Sequence, residues 1–193
     1  MKSRGLTRVA ADMTSAGQEV RWVVRAQSGD VEALDALLRA VQGPLYRYVL
    51  RLVGDDHLAA DVLQDVFVLI VRKLYWLREP QVFRPWAYRI ASRQAFQCLK
   101  RQRRLSGRGE DALLASLPAG PEEEGADPEL LQRLPGLLAE VSPASRAVLS
   151  LHYFEGLTLQ ETADVLEVSL AAVKSRLAYG LRVLRKKLGA GRE

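Results

Sequence analysis

Six polar side chains between residues 89 and 104 recur three or four positions apart: Arg89, Arg93, Gln97, Lys100, Arg101 and Arg104. On a helix of about 3.6 residues per turn, that spacing stacks them into one stripe. Guanidinium and ammonium groups only donate hydrogen bonds, so the stripe has the chemistry of an anion holder. Like charges four apart destabilise a helix by roughly 0.2–0.5 kcal/mol per pair. No carboxylate between residues 80 and 109 offsets them, which makes an external polyanion the natural counterpart. The bland alternative is a solvated face. Phe83, Trp86, Ala87, Ile90 and Ala91 supply the apolar anchor of the same helix. Five rings, Tyr75, Trp76, Phe83, Trp86 and Tyr88, flank the loop before it. Rings beside cations can stack single-stranded bases, and an extracted base needs a pocket. Most of these rings are expected in the core.

A second constellation lies near the C-terminus. Thr158 and Glu161 have capping-box spacing, in which the hydroxyl and the carboxylate satisfy helix amides reciprocally. The short helix they open carries Ala163, Val165 and Leu166. A tight turn at Glu167–Val168 leads to Ser169, a second N-cap. The next helix places Val173 and Leu177 inward, with Ala171, Ala172, Lys174, Ser175 and Arg176 at its start and largely outward. A helix that enters the major groove needs this arrangement, because its first turns meet base edges. Arginine and lysine bond guanine or phosphate, and small residues allow close approach. An ordinary helical hairpin with a basic face is the competing reading. The tail Arg182, Arg185, Lys186 and Lys187 favours DNA.

Asp61, Gln64 and Asp65 share a helix face distinct from the apolar stripe Ala59, Val62, Val66, Ile70 and Leu74. Two carboxylates one turn apart could ligate a metal, as in a nuclease. No histidine partner or glycine-rich phosphate loop accompanies them, so no catalytic set, metal or cofactor is expected. The single cysteine, Cys98, cannot close an internal disulfide. His57 and His152 have no ligand spacing around them.

The elements that carry these residues are helical throughout. The 193-residue chain is 48% hydrophobic, which allows one domain or two small ones. Its +5 charge is unevenly spread. Residues 80–109 hold eight basic side chains and no acid, and residues 110–167 hold twelve acidic and two basic. Residues 168–193 hold seven basic and one acidic. Two basic blocks around an acidic one suggest two meeting places for an anionic polymer. Asp30 starts a helix, Pro44 breaks or restarts it, and Gly54 stops it. A further helix runs to about Trp76, and another from about Pro85 to Arg104. The stretch from residue 106 to 127, with Glu122, Glu123 and Glu124, reads as an acidic linker. Asp127–Pro128 and Ser142–Pro143 open further helices. The fold class expected is all-α: two small helical domains joined by a flexible acidic linker, the C-terminal one a helix-turn-helix. Residues 1–20 read as a disordered extension, 21–105 and 128–193 as the domains. With no signal-like or membrane-length apolar run, a cytoplasmic protein without membrane insertion is expected.

Three motifs together resemble the extracytoplasmic-function (ECF) group of sigma-70-type sigma factors. They are Ala59-Ala60-Asp61-Val62-Leu63-Gln64-Asp65-Val66-Phe67, then Phe83-Arg84-Pro85-Trp86-Ala87-Tyr88-Arg89-Ile90-Ala91, then Tyr153-Phe154-Glu155-Gly156-Leu157-Thr158 with Glu161, Ala163, Ser169 and Val173-Lys174-Ser175-Arg176. The resemblance covers about residues 20–188. It implies that residues 21–105 are a region 2 domain whose Asp61, Gln64 and Asp65 dock the β′ clamp helices of core RNA polymerase. It implies that the loop 78–82, with Arg78 and Gln81, helps capture a flipped −10 base. Phe83, Trp86, Arg89, Arg93, Gln97, Lys100, Arg101 and Arg104 would hold promoter DNA near it. Residues 128–193 would be region 4, touching the β flap and reading the −35 element with Thr158, Ser169, Ala171, Ala172, Lys174, Ser175, Arg176 and Tyr179. An anti-sigma factor is a further implied partner, and the linker carboxylates could mimic RNA in the polymerase channel. The chain departs from the family pattern at Ser92-Arg93, at Gln97, at Ala172 and at Glu167, where a turn glycine is usual. A stand-alone repressor or activator is the alternative; it would have no need of the Asp61/Gln64/Asp65 face.

Overall fold

The computed structural model describes residues 17–105 and 128–190. The expectations for residues 1–16 and for the linker lie outside them. Among the described residues every regular element is helical.

Residues 17–27 form α1, a helix absent from the sequence reading, which begins inside the segment assigned to the extension. A carboxylate on its inner face obscured the pattern. Glu19 is only 4% exposed beside fully buried Val23. It is matched by Arg84, whose Nη2 lies 2.5 Å from its carboxylate.

Asp30 caps α2 (Val31–Val53) by accepting from the Ala33 amide, and Gly54 ends it in the left-handed region at φ 75°. Pro44 neither breaks nor restarts this helix, contrary to expectation. Proline inside a helix costs roughly 3 kcal/mol. The cost is offset because Leu37, Val41, Leu45, Tyr48 and Leu52 form one buried stripe across it. Asp55 caps α3 (Asp56–Lys73), which buries Ala59, Val62, Val66 and Ile70 as the spacing requires. A 3-10 turn, Leu74–Trp76, follows, then a second at Pro80–Val82 and the long helix α4 (Phe83–Leu105). Helices α2, α3 and α4 pack mutually around one core.

Tyr48 and Tyr88 cross edge to face at that core, 5.3 Å between centroids. The Tyr48 and Ser92 hydroxyls are 2.7 Å apart, and Tyr88 donates to Glu155. Burial drives both phenols far above their ordinary 10.0, and the Glu155 carboxylate adds to the effect on each. A raised folded-state pKa stabilises the fold below the unfolded value and loses that stability as pH rises beyond it. Stability is therefore expected to be level up to about pH 10 and to fall above it. Urea titrations at pH 8, 10 and 11 check this; Tyr48→Phe should flatten the alkaline fall.

The second module opens with α5 (Pro128–Leu137) and a 3-10 turn, Leu138–Glu140. Ser142 caps α6 (Pro143–Leu149), which runs into a π-type turn, Ser150–Phe154. Then come α7 (Leu159–Leu166) and α8 (Leu170–Ala190). Leu130, Leu134, Leu149, Leu181 and Leu184 form its core. Helix α8 lies so close to α6 that a Cβ on Gly180 would stand 2.9 Å from Leu149 Cδ1. Glycine permits that approach.

The modules touch through α4 against α7 and α2 against α6. Arg146 of α6 donates to the carbonyls of Arg51 (3.2 Å) and Leu52 (3.1 Å) at the end of α2. Glu155 accepts from Arg51 at 3.0 Å, and the Arg51 guanidinium lies 4.0 Å from the Phe154 ring centroid.

Candidate protein and nucleic-acid surfaces

Helix α3 keeps its apolar stripe inward, so Asp61, Gln64 and Asp65 fall together on an exposed face. Beside them a groove of about 600 Å³ opens between α2 and α3. Gln42 and Tyr46 line one wall; Leu63, Gln64, Phe67, Val68 and Val71 line the other. The sequence reading found the polar rim and missed this apolar floor. Val68 and Val71, 45% and 46% exposed, were its available signal: valines at i+4 and i+7 from Gln64. An acidic rim over an apolar groove suits a partner helix with basic flanks.

The α4 stripe is real as a surface, with two corrections. Phe83 is 1% exposed and belongs to the core, not to a DNA surface. Its position opens α4, and its ring packs 6.0 Å from half-buried Trp86. Arg89 is half-buried, with its Nε inside the protein and without a hydrogen-bond partner. Gln97, Lys100, Arg101 and Arg104 are exposed along the far half of the helix, and Arg78 and Gln81 are exposed in the loop before it. Arg93 is exposed but engaged: its Nε and Nη2 clasp the Glu167 carboxylate at 2.9 and 2.5 Å.

The expected helix-turn-helix forms. Thr158 Oγ1 accepts from the Glu161 amide (3.1 Å), and the Glu161 carboxylate accepts from the Thr158 amide (2.8 Å). Glu167 takes the left-handed turn conformation at φ 56°, ψ 45°, which glycine adopts without strain. Ser169 Oγ accepts from the Ala172 amide at 3.2 Å. Ala171 and Lys174 are exposed; Ala172, Ser175 and Tyr179 are half-buried. Arg176 is not outward: it is 8% exposed. It sits three residues after buried Val173 and four before buried Gly180, on the edge of the inward face, where its stem is covered. Burial pushes its pKa down from the ordinary guanidinium value. The tail adds Arg182, whose guanidinium lies 5.5 Å from the Tyr179 ring centroid.

A cationic helix in one module and a helix-turn-helix in the other define a DNA-binding transcription protein. Sigma-70 region 2 matches residues 37–105, and Sigma-70, region 4 matches residues 137–186. An ECF RNA polymerase sigma factor, SigK of Mycolicibacterium vanbaalenii, is 30% identical over 83% of this chain and 84% of its own length. The RNA polymerase sigma-H factor of Pseudomonas aeruginosa is 28% identical over 91% of this chain and 96% of its own. In fold, the chain is similar to CnrH, solved in complex with the cytosolic domain of CnrY (TM-score 0.64, 23% identity, 90% of this chain and 98% of that one). The chain belongs to the ECF sigma factors of the sigma-70 family. It is a non-enzymatic polymerase subunit that directs promoter-specific transcription initiation. No helix among the described residues is long and apolar enough to cross a membrane.

Proposed function

We propose that the α3 face with Asp61, Gln64 and Asp65, together with the groove beside it, docks the β′ clamp helices of core polymerase, and that α4 and α8 hold the promoter. The supporting observation is the separation of charge: exposed carboxylates on α3, exposed cations on the far half of α4 and on α8. Arg78, Gln81, Arg93, Gln97, Lys100, Arg101 and Arg104, all exposed, meet DNA around the −10 element. Ala171, Lys174 and Ser175 approach bases at the −35 element, with Thr158 and Ser169 shaping the helices that carry them. Region 4 also touches the β flap. The protein acts in the cytoplasm, where its polymerase is.

The two elements lie about 25 base pairs apart, or roughly 85 Å at ~3.4 Å per pair. Modules in contact cannot read both, so they part on the promoter, and a DNA phosphate replaces Glu167 on Arg93. An anti-sigma factor is a further partner, supported by the neighbour solved with CnrY and by RpoE of Bartonella quintana, solved with the anti-sigma factor NepR (TM-score 0.62). Run-off transcription with core polymerase tests the reading. Start sites should appear only when this chain is added, and Lys174→Ala should change promoter choice without changing core affinity. Tight footprinting of a specific duplex by the chain alone would favour a stand-alone regulator.

A further inference from the structure

We infer that α1 is a brace for the loop between Leu77 and Phe83, and that Glu19 and Gln27 are positioning residues for its reading of the −10 element; this rests on the placement of −10 DNA at that loop and α4. Glu19, Val23 and Gln27 stand four residues apart, on one ridge of α1. Val23, in the middle, is fully buried and packs into the core of the first module. The polar residues on either side of it reach the two ends of the same loop. Helix α1 lies before residue 37, where the match to region 2 begins.

Gln27 holds the entry. Its Nε2 donates to the carbonyls of Leu74 (2.8 Å) and Leu77 (2.7 Å), so both amide protons are used. Leu74 and Leu77 turn inward, while Tyr75 and Trp76 between them are exposed. The Leu74 carbonyl also accepts from the Leu77 amide at 3.0 Å, which closes the turn. Glu19 holds the exit. Its carboxylate accepts from Arg84 Nε at 2.7 Å and from Nη2 at 2.5 Å, and Arg84 stands in the first turn of α4. Eight residues of α1 separate the two grips, about 12 Å at ~1.5 Å per residue.

The loop itself has little to fix its position. Arg78, Glu79, Gln81 and Val82 are exposed, and the turn Pro80–Val82 buries no residue. The bond from the Val82 amide to the Glu79 carbonyl (3.1 Å) sets the loop's shape but not its place in the molecule. Place comes from the ends, and α1 grips both. Arg78 and Gln81, the side chains assigned to DNA, lie one residue after Leu77 and three before Arg84.

Packing alone does not ask for these residues, since an apolar side chain at either position would continue the ridge of Val23. A buried ion pair brings little net stability, because desolvation offsets the attraction, but it fixes one geometry. So does an amide whose donors are matched to carbonyls 47 and 50 residues away. A surface that reads a ligand depends on supports of this kind to hold its contact groups in place.

The test uses the full-length chain with core polymerase on a promoter found by run-off transcription, and on copies with single-base changes in the −10 or the −35 element. Opening is followed by permanganate reactivity of thymines. The readout is discrimination, the ratio of opening rates on the parent promoter and on each changed copy. Gln27→Met keeps the length and loses both donors. It should lower −10 discrimination by about fivefold or more and leave −35 discrimination within about twofold of wild type. Glu19→Gln keeps the shape and gives up the charge, and should lower −10 discrimination by about threefold. Core affinity should be unchanged in both, since neither side chain lies on the α3 face. A helix that only supports the fold would change the active fraction, which slows opening on every template alike and leaves both ratios where they were. That result overturns the inference, and so does a parallel fall in −10 and −35 discrimination. A wild-type holoenzyme that opens the promoter without discriminating at −10 removes the underlying placement of DNA as well.

Discussion

Asp61→Ala/Asp65→Ala is expected to weaken binding to core polymerase by about 2–4 kcal/mol, roughly 30- to 700-fold. Both carboxylates are exposed in the chain on its own, beside a groove with an apolar floor. A partner seated in that groove would cover them and desolvate their cationic counterparts. Removing one side of such a pair leaves the other buried without compensation, which is why the loss exceeds that of a surface ion pair. The cost to the fold should be small and of the opposite sign, because alanine favours a helix interior more than aspartate does. The two readouts separate the role from the structure: fluorescence anisotropy with core polymerase should show the loss, and the thermal midpoint should hold or rise slightly. A midpoint that fell with affinity would mean that the carboxylates support the helix and not the docking.

Most of the architecture was legible because the helices announce their own ends. Asp30, Asp55, Ser142, Thr158 and Ser169 all cap the helices that follow them, through side-chain oxygens that accept backbone amides. These signals are local, and local signals survive in a sequence. The misses are tertiary. Pro44 looks like a breaker until its helix is seen to bury one stripe on both sides of it. Glu19 hides α1 because a buried carboxylate reads as surface until Arg84 is found 65 residues away. Arg176 has a type that suits DNA, but its position faces a core that the helical period alone places only to within a residue; Phe83 lies in the apolar anchor where its spacing puts it, and its DNA role came from the resemblance alone. The exposed Tyr75 and Trp76 err in the other direction. Rings are ordinarily core, and although spacing puts Leu74 in the buried stripe, nothing in the residues before them shows that Leu77 also turns inward and leaves both rings outside. Glu167 is the clearest case of partial legibility. Its place in a tight turn was readable, and so was the absence of glycine, but the Arg93 guanidinium that holds it belongs to the other module.

Contact between the modules carries the second large effect, expected at Arg146. Its guanidinium donates to four carbonyls: Ala139 and Val141 in its own module, at 3.1 Å each, and Arg51 and Leu52 in the other, at 3.2 and 3.1 Å. Arg51 and Leu52 stand in the last turn of α2, where carbonyls have no helical donor and the helix dipole is negative. A planar cation with several donors is suited to that end in a way that a lysine ammonium is not. Burial lowers its pKa, but a guanidinium still carries its charge across the working range. Arg146→Ala should therefore cost about 3 kcal/mol, from lost charge-assisted hydrogen bonds and from carbonyls left in a partly buried seam. Arg146→Lys should recover only part of it. The effect should also change the form of unfolding. While the seam holds, the modules share one cooperative transition; once it is weakened, each melts with its own core, and the single calorimetric transition should divide in two. Small-angle scattering should show the variant more extended than the wild type at the same temperature. The wild-type contact opposes the separation proposed for the promoter-bound state, so a loosened seam should raise DNA affinity even as it lowers stability. A variant that lost stability without extending would place the whole effect of Arg146 within its own module, on Ala139 and Val141.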